Sequence, residues 1–366
     1  MTLTTAIVFA AGLALLIGGA EIFVRGASKL AAALGISPLI IGLTVVAFGT
    51  SAPELAISVL AGLEGRPDLA FGNVVGSNIF NTLFILGASA LVAPLVVARR
   101  LVQLDVPLVI GASVLALVMG MDGRIGRLEG LGLFAGIVTY TIWLVLRGRG
   151  EGVVGGEVDT RPDQGQAGPG RLAIDLAMIA SGLVLLVVGS RMLVSAAVTI
   201  ASGLGVSEMV VGLTIVAAGT SLPEVATSLL ASLKGERDIA VGNVVGSNLF
   251  NLLCVLGLTA SATGGIPVPA EALRVDVPVM IASSIACMPI FFSGHRIDRW
   301  EGCLFLGYYV AYTTNLVLAA TGHEALGSFQ GVMVAFILPL TAITLGVITY
   351  REFRSRWRVE SGHGSD

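Results

Sequence analysis

Residues 34–87 recur as residues 204–257 without a gap, with 33 identities in 54 positions. Chance does not produce that agreement, so the two segments must share one local structure, and the chain must fold as two matched halves. The densest match is Gly49-Thr50-Ser51-Ala52-Pro53-Glu54, which returns as Gly219-Thr220-Ser221-Leu222-Pro223-Glu224. Gly72-Asn73-Val74-Val75-Gly76-Ser77-Asn78 returns as Gly242-Asn243-Val244-Val245-Gly246-Ser247-Asn248. Weaker similarity continues outward, where Glu129-Gly130 is echoed by Glu301-Gly302.

Both copies sit inside long apolar runs. Hydrophobic residues make up 55% of the chain and charged residues only 12%, more apolar surface than a soluble domain of this length needs. Runs of about 20 apolar residues recur between short charged clusters, the pattern of a polytopic helical membrane protein. The 48 glycines suit close helix packing in lipid. A net charge of −3 with no basic stripe argues against nucleic acid as a partner. No protein partner is inferable, so the bilayer is the expected surrounding. The first apolar run has no basic start, and its first positive residue is Arg25, so it reads as a retained helix rather than a cleaved signal. Cys254, Cys287 and Cys303 lack metal-ligand spacing and read as packing residues. His295, His323 and His363 have no companion ligands.

The pattern predicts an all-α membrane protein. Helices are expected near 4–33, 37–63, 68–95, 102–120 and 126–147, then near 171–202, 206–233, 238–263, 272–292 and 299–320. This divides the chain into a first five-helix repeat (1–147), a linker (148–170), a second repeat (171–320), and a last segment (321–366). The last segment carries an eleventh helix at 331–350 and a basic tail. Five helices is an odd number, so the second repeat should enter the membrane upside down. Inverted repeats of this kind are the architecture of secondary transporters, whose sites lie near the midplane between the repeats. Sixteen Lys/Arg fall on the side reached after odd-numbered helices and four on the other, leaving out Arg191 inside its helix. The positive-inside rule then puts the amino terminus outside, and the linker and carboxyl terminus in the cytoplasm. The linker has no apolar periodicity and is too short and polar for a regulatory domain. The basic tail Arg351–Arg358 reads as an anchor for the last helix.

Proline at 53 has no N–H to give the carbonyl of Gly49 and should weaken the turn around Ala47–Thr50, and Pro223 should do the same to Gly219. Irregular backbone at membrane depth is tolerated only where it lines a cavity or is buried in protein. Freed carbonyls beside Thr and Ser hydroxyls are hard oxygen ligands, suited to Ca²⁺ and similar ions. Glu54 follows Thr50 by four residues and Ser51 by three, so the three share one helix face. Asn73, Ser77 and Asn81 form a second stripe at i, i+4, i+8, repeated by Asn243, Ser247 and Asn251. A membrane Ser or Thr commonly bonds its own backbone, and a membrane Pro is often just a kink. The glutamates resist such readings, because an unpaired carboxylate at the bilayer centre costs at least ~2.5–3.5 kcal/mol. No Lys or Arg lies inside the helices that carry the motifs, so the counter-charge is a bound cation or a proton. Glu21 and Arg191 hold equivalent positions and either pair with each other or snorkel to an interface.

At these residues the chain resembles the sodium/calcium exchanger group of the calcium/cation antiporter superfamily, of prokaryotic type. GTSAPE and GTSLPE carry the match, with GNVVGSNIFN (72–81) and GNVVGSNLFN (242–251), and the resemblance extends over about 1–320. It implies ten helices in two inverted repeats and exchange of Ca²⁺ for several Na⁺. It implies a ligand set of Ala47 and Ala217 through their carbonyls, with Thr50, Ser51, Glu54, Ser77 and Asn81. Thr220, Ser221, Glu224, Ser247 and Asn251 complete the set. Some relatives have Asp where Asn251 stands, an acid linked to K⁺, so K⁺ dependence is not expected. Proton-coupled relatives place a Glu inside the second motif, where this chain has Gly76-Ser77 and Gly246-Ser247. The expectation is therefore a Na⁺/Ca²⁺ antiporter of the plasma (inner) membrane, not an enzyme. It should work by alternating access at a midplane site with two glutamates, using no cofactor beyond its transported ions Ca²⁺ and Na⁺. Exchange of H⁺ for Ca²⁺ or another divalent ion is the alternative, and a cation channel is a further one. An intramembrane hydrolase fits poorly, because no histidine lies in the duplicated core.

Overall fold

The computed structural model describes residues 3–148, 169–204, 217–292 and 295–337, with the single positions 215, 339 and 346. Its main helices are α1 (Leu3–Leu34), α2 (Pro38–Thr50), α3 (Ala52–Leu63), α4 (Asp68–Val92), α5 (Leu101–Gly120) and α6 (Arg127–Arg147). The second half contains α7 (Leu172–Gly203), α8 (Leu222–Leu233), α9 (Arg237–Thr263), α10 (Asp276–Phe292), α11 (Arg299–Ala320) and α12 (Ala325–Ala335). Among the described residues, seven helices are long and apolar enough to cross a membrane, or eight if α2 and α3 form one broken span. Most of the start expected for a helix at 206–233 lies outside the described residues. So do most of the linker, most of 338–350 and the basic tail.

The long helix expected at 37–63 is broken. α2 and α3 meet at Ser51 with a bend of 42°. Pro53 sits in the first turn of α3, where its missing N–H is harmless to α3 and ends α2. Ser37 opens α2 by accepting a hydrogen bond from the backbone of Ile40. π-helical turns interrupt α2 at Gly42–Val46, α4 at Phe80–Ile85 and α9 at Phe250–Val255. The last two occupy equivalent positions and contain Asn81 and Asn251. Such bulges cluster at functional sites.

Glycines bring the halves together. α1 and α7 cross with Gly12 against Leu193, Gly19 against Leu186, Leu16 against Gly189 and Phe23 against Gly182. One numbering rises as the other falls, so these equivalent helices run antiparallel. A Cβ on Gly189 would lie 2.6 Å from the Leu16 nitrogen, so only glycine permits the approach. α4 crosses α11 where Gly87 meets Gly302, and α6 crosses α9 where Gly130 meets Gly257. The echo of Glu129-Gly130 in Glu301-Gly302 thus has a mechanical reason. Each glycine admits a helix from the other half, and each glutamate closes its own helix start. Glu129 accepts from the Gly126 backbone at 2.7 Å, and Glu301 accepts from Asp298 at 2.8 Å within a capping box.

The protein is all-helical as expected, apart from short connecting ribbons. Two short antiparallel ribbons also join the halves: β1 (Leu95–Val96) pairs with β4 (Arg296–Ile297), and β2 (Arg124–Gly126) pairs with β3 (Gly265–Pro267). These strands are two or three residues long, too short for their alternation of buried and exposed residues to be read from the sequence. Their pairing is a product of where the helices end. Cys254 and Cys287 are buried, as expected of packing residues, whereas Cys303 is exposed and does not pack inside the protein.

Candidate cation site

The two motif carboxylates end in the same buried pocket of polar groups. Glu54 and Glu224 stand in the first turns of α3 and α8, each beside the proline that starts its helix, and both are 0% exposed. Each is met by the serine of the other copy. Ser221 Oγ donates to Glu54 Oε1 at 2.8 Å, and Ser51 Oγ donates to Glu224 Oε1 at 3.4 Å. Ser77 Oγ lies 3.3 Å from Ser221 Oγ. Thr50 Oγ1 donates to Asn243 Oδ1 at 3.0 Å and lies 3.4 Å from Ser247 Oγ. Thr220 Oγ1 reaches Asn73 Oδ1 at 3.5 Å. These contacts link residues 144 to 197 apart in sequence, and every one crosses between the copies.

The second oxygens of both glutamates are buried with no hydrogen-bond partner, and so are both amide atoms of Asn81 and of Asn251. Among the described residues, no ion pair reaches either carboxylate. Unpaired buried polar groups are costly, and four of these atoms are oxygens at matching positions in the two copies that a cation could satisfy. The donors available are carboxylate, amide and hydroxyl oxygens, which suit hard cations. Among the described residues, no group of three or more His, Cys, Asp or Glu that could hold a metal ion occurs.

Of the twelve expected ligands, Thr50, Ser51, Glu54, Ser77, Ser221, Glu224 and Ser247 meet one another or their counterparts directly through these contacts, and Thr220 joins them through Asn73. Asn81 and Asn251 are buried but bond to none of them. The Ala47 carbonyl accepts the Ser51 N–H at 3.0 Å and has the Thr50 hydroxyl 3.4 Å away. Ala217 opens the helical turn Ala217–Gly219. The carbonyl of Gly219, which loses its helical donor to Pro223, is bonded by Ser190 of α7 at 2.6 Å. In the first half, Ala20 stands at the position equivalent to Ser190.

Sequence reading missed Ser58 and Ser228. Ser58 Oγ accepts from Asn73 Nδ2, and Ser228 Oγ accepts from Asn243 Nδ2, both at 2.9 Å. Their signal was present: identical serines four residues after each glutamate, on the same helix face. Glu21 does not pair with Arg191. It bonds Arg25 and Lys234, while Arg191 is exposed.

Helices of membrane-spanning length around a buried, oxygen-lined polar centre define the class: an integral membrane transporter of cations. The chain belongs to the sodium/calcium exchanger protein family, whose model matches residues 4–146 and 174–318. It is 37% identical over 317 residues to the inner membrane protein YrbG of Escherichia coli (strain K12), covering 86% of this chain and 97% of YrbG. It is 31% identical over 337 residues to the sodium/calcium exchanger MaX1 of Methanosarcina acetivorans, covering 83% and 96%. The solved sodium-calcium exchanger NCX_Mj, soaked with 10 mM Na⁺ and zero Ca²⁺, superposes with a TM-score of 0.72 at 31% identity. That match covers 85% of this chain and 98% of NCX_Mj. The family is one of antiporters, and this chain is not an enzyme.

Proposed function

We propose that this chain exchanges Ca²⁺ for Na⁺ by alternating access, with Glu54 and Glu224 as the charged ligands of one midplane site. The observation that carries the reading is the pair of fully buried carboxylates, each with one oxygen unpartnered and no basic side chain bonded to it among the described residues. Ala47, Thr50, Ser51, Ser77 and Asn81, with Ala217, Thr220, Ser221, Ser247 and Asn251, supply the neutral ligands. Two ionised glutamates carry −2. One Ca²⁺ cancels that charge, and so do two Na⁺, with room for a third on neutral oxygens. An empty site stays charged and crosses the low-dielectric barrier poorly, so the protein changes sides only when loaded.

The antiparallel crossing of α1 and α7 and the reciprocal contacts between the copies support two inverted five-helix repeats forming a ten-helix core. On this reading an eleventh helix, expected at 331–350, adds to that core without belonging to either repeat. The charge bias supports a plasma-membrane protein with its amino terminus outside and its carboxyl terminus in the cytoplasm.

Reconstitution in liposomes tests the reading. With voltage clamped by an ionophore, an outward Na⁺ gradient is expected to drive Ca²⁺ uptake, and K⁺ or H⁺ gradients alone are not. Uptake driven by a pH gradient alone would replace Na⁺ with H⁺ as the coupled ion. Ca²⁺ flux needing no counter-ion would make the protein a channel.

A further inference from the structure

A hydroxyl can ligate a cation only with its lone pairs, so its proton must point elsewhere. In this site each of the four motif hydroxyls has an acceptor on the opposite copy. Ser51 and Ser221 donate to the glutamates, as described above. Thr50 and Thr220 donate to Asn243 and Asn73, which are not among the expected ion ligands. The amides of these two asparagines are held in one orientation. Asn243 Nδ2 faces the Glu224 carbonyl at 3.5 Å and Ser228 Oγ at 2.9 Å. Asn73 Nδ2 faces the Glu54 carbonyl at 3.2 Å and Ser58 Oγ at 2.9 Å. A carbonyl can only accept, so the NH₂ must lie on that side, and Oδ1 must face the threonine.

We propose that Asn243 and Asn73 are positioning residues for ion binding: each takes the hydroxyl proton of the opposite copy's threonine and turns that oxygen's lone pairs into the site. The same amide is tied to the backbone of its own copy's glutamate. One asparagine thus sets a threonine ligand from one half against a carboxylate ligand from the other. Asparagine suits the task because it offers a donor and an acceptor without adding charge. Aspartate would make the site more negative and could not donate to the Glu carbonyl.

The inference rests on the cation reading of the site but not on which ion drives exchange, so its test reads binding. Purified full-length protein in detergent is titrated with CaCl₂, and the rise in melting temperature gives an apparent affinity. Asn243→Ala is expected to raise the half-saturating Ca²⁺ concentration about three- to tenfold, the net worth of about one hydrogen bond, and Thr50→Val, which removes the ligand oxygen itself, to raise it at least as much. Thr50→Val/Asn243→Ala is expected to match the worse single variant, because both remove the same element. Asn243→Ala/Thr220→Val is expected to multiply the two effects, since those residues belong to different pairs. The mirror pair, Asn73→Ala with Thr220→Val, should again be non-multiplicative, and it serves as the test if the Asn243 variants fail to fold. Multiplicative effects within the Thr50–Asn243 and Thr220–Asn73 pairs would overturn the proposal. So would Asn→Ala variants that lower the ion-free melting temperature without moving the Ca²⁺ titration, or a wild-type protein that Ca²⁺ does not stabilise. Protein that binds Ca²⁺ with this coupling but shows no Na⁺-driven uptake would overturn Na⁺/Ca²⁺ exchange and leave the positioning role standing.

Discussion

In α3 only Glu54, Ser58 and Ala61 are buried, whereas its counterpart α8 buries Pro223, Glu224, Thr227, Ser228, Ala231 and Ser232. The glutamate and the serine four residues after it are shared, but α8 adds Thr227 and Ser232 where α3 has Ile57 and Gly62, and the site's hydrogen bonds to the opposite copy mirror each other. What differs is the cover. Both α1 and α7 hold α8 and its flanks. Glu21 of α1 bonds Lys234, Ser28 of α1 donates to Glu236 at 3.0 Å, and Ser190 of α7 bonds the Gly219 carbonyl. Near α3, Glu64 has only a 4.0 Å contact with exposed Arg66, and Phe48 is 52% exposed, resting on Phe250. The charges make the contrast sharper. Glu21 is matched by Arg191 and Lys234 by Glu64, so the chain carries one ion pair twice with its signs exchanged. Only the first version is engaged among the described residues. The difference teaches that the site's contacts are symmetric and both carboxylates are equally buried, while the packing of the helices that carry them is not.

The comparison predicts which substitutions should act alike in the two halves and which should not. Glu54→Gln and Glu224→Gln should each cut Na⁺-driven Ca²⁺ flux about a hundredfold or more, because each removes half of the site's charge from a buried place. Equal losses despite unequal cover would show that the site works as one unit. If either variant kept its flux in the liposome assay, the site assignment would be wrong.

Gly12→Ala and Gly182→Ala should also act alike, each lowering stability by about 1–3 kcal/mol through overpacking. Their new methyl groups would lie 2.8 Å from the Leu193 nitrogen and 2.7 Å from the Phe23 nitrogen. Melting in detergent measures the loss, with Gly18→Ala, which meets nothing within 4 Å, as the unaffected control.

Ser190→Ala should separate the halves. It strips the Gly219 carbonyl of its side-chain donor and should cost about 1 kcal/mol in the same melt. No change would mean that this carbonyl finds another partner. The smallest effect belongs to the exchanged ion pairs. Lys234→Glu should lower the melting temperature slightly, Glu21→Lys/Lys234→Glu should restore it only in part because Glu21→Lys also loses the bond to Arg25, and Arg191→Glu should leave it unmoved. A drop for Arg191→Glu equal to that for Lys234→Glu would erase the asymmetry.

Much of the fold was legible residue by residue. α1 falls within a residue of the expected 4–33, and α11 matches the expected 299–320, because apolar runs bounded by charge report helix ends directly. The break at Ser51 was legible from Pro53, whose chemistry is local. The π turns at Phe80–Ile85 and Phe250–Val255 were not, since nothing in residue type separates them from an α-helix. The ribbons were not legible either, because each strand exists only where a partner some 140 to 200 residues away is brought beside it.

The sequence by itself determined that this is a membrane protein of two matched halves, and that each half carries a glutamate, two hydroxyls and a proline as one unit. Those properties depend on composition, spacing and repetition, which are local. Only the tertiary structure decided that Ser51 serves Glu224 and Ser221 serves Glu54, that Asn243 and Asn73 hold the opposite threonines, and that Glu21 bonds Lys234 rather than Arg191. Each of these depends on which helices meet and at what height. That is set by glycine crossings between the halves, where backbones approach within one atom's width, and no single stretch of sequence contains both sides of such a contact.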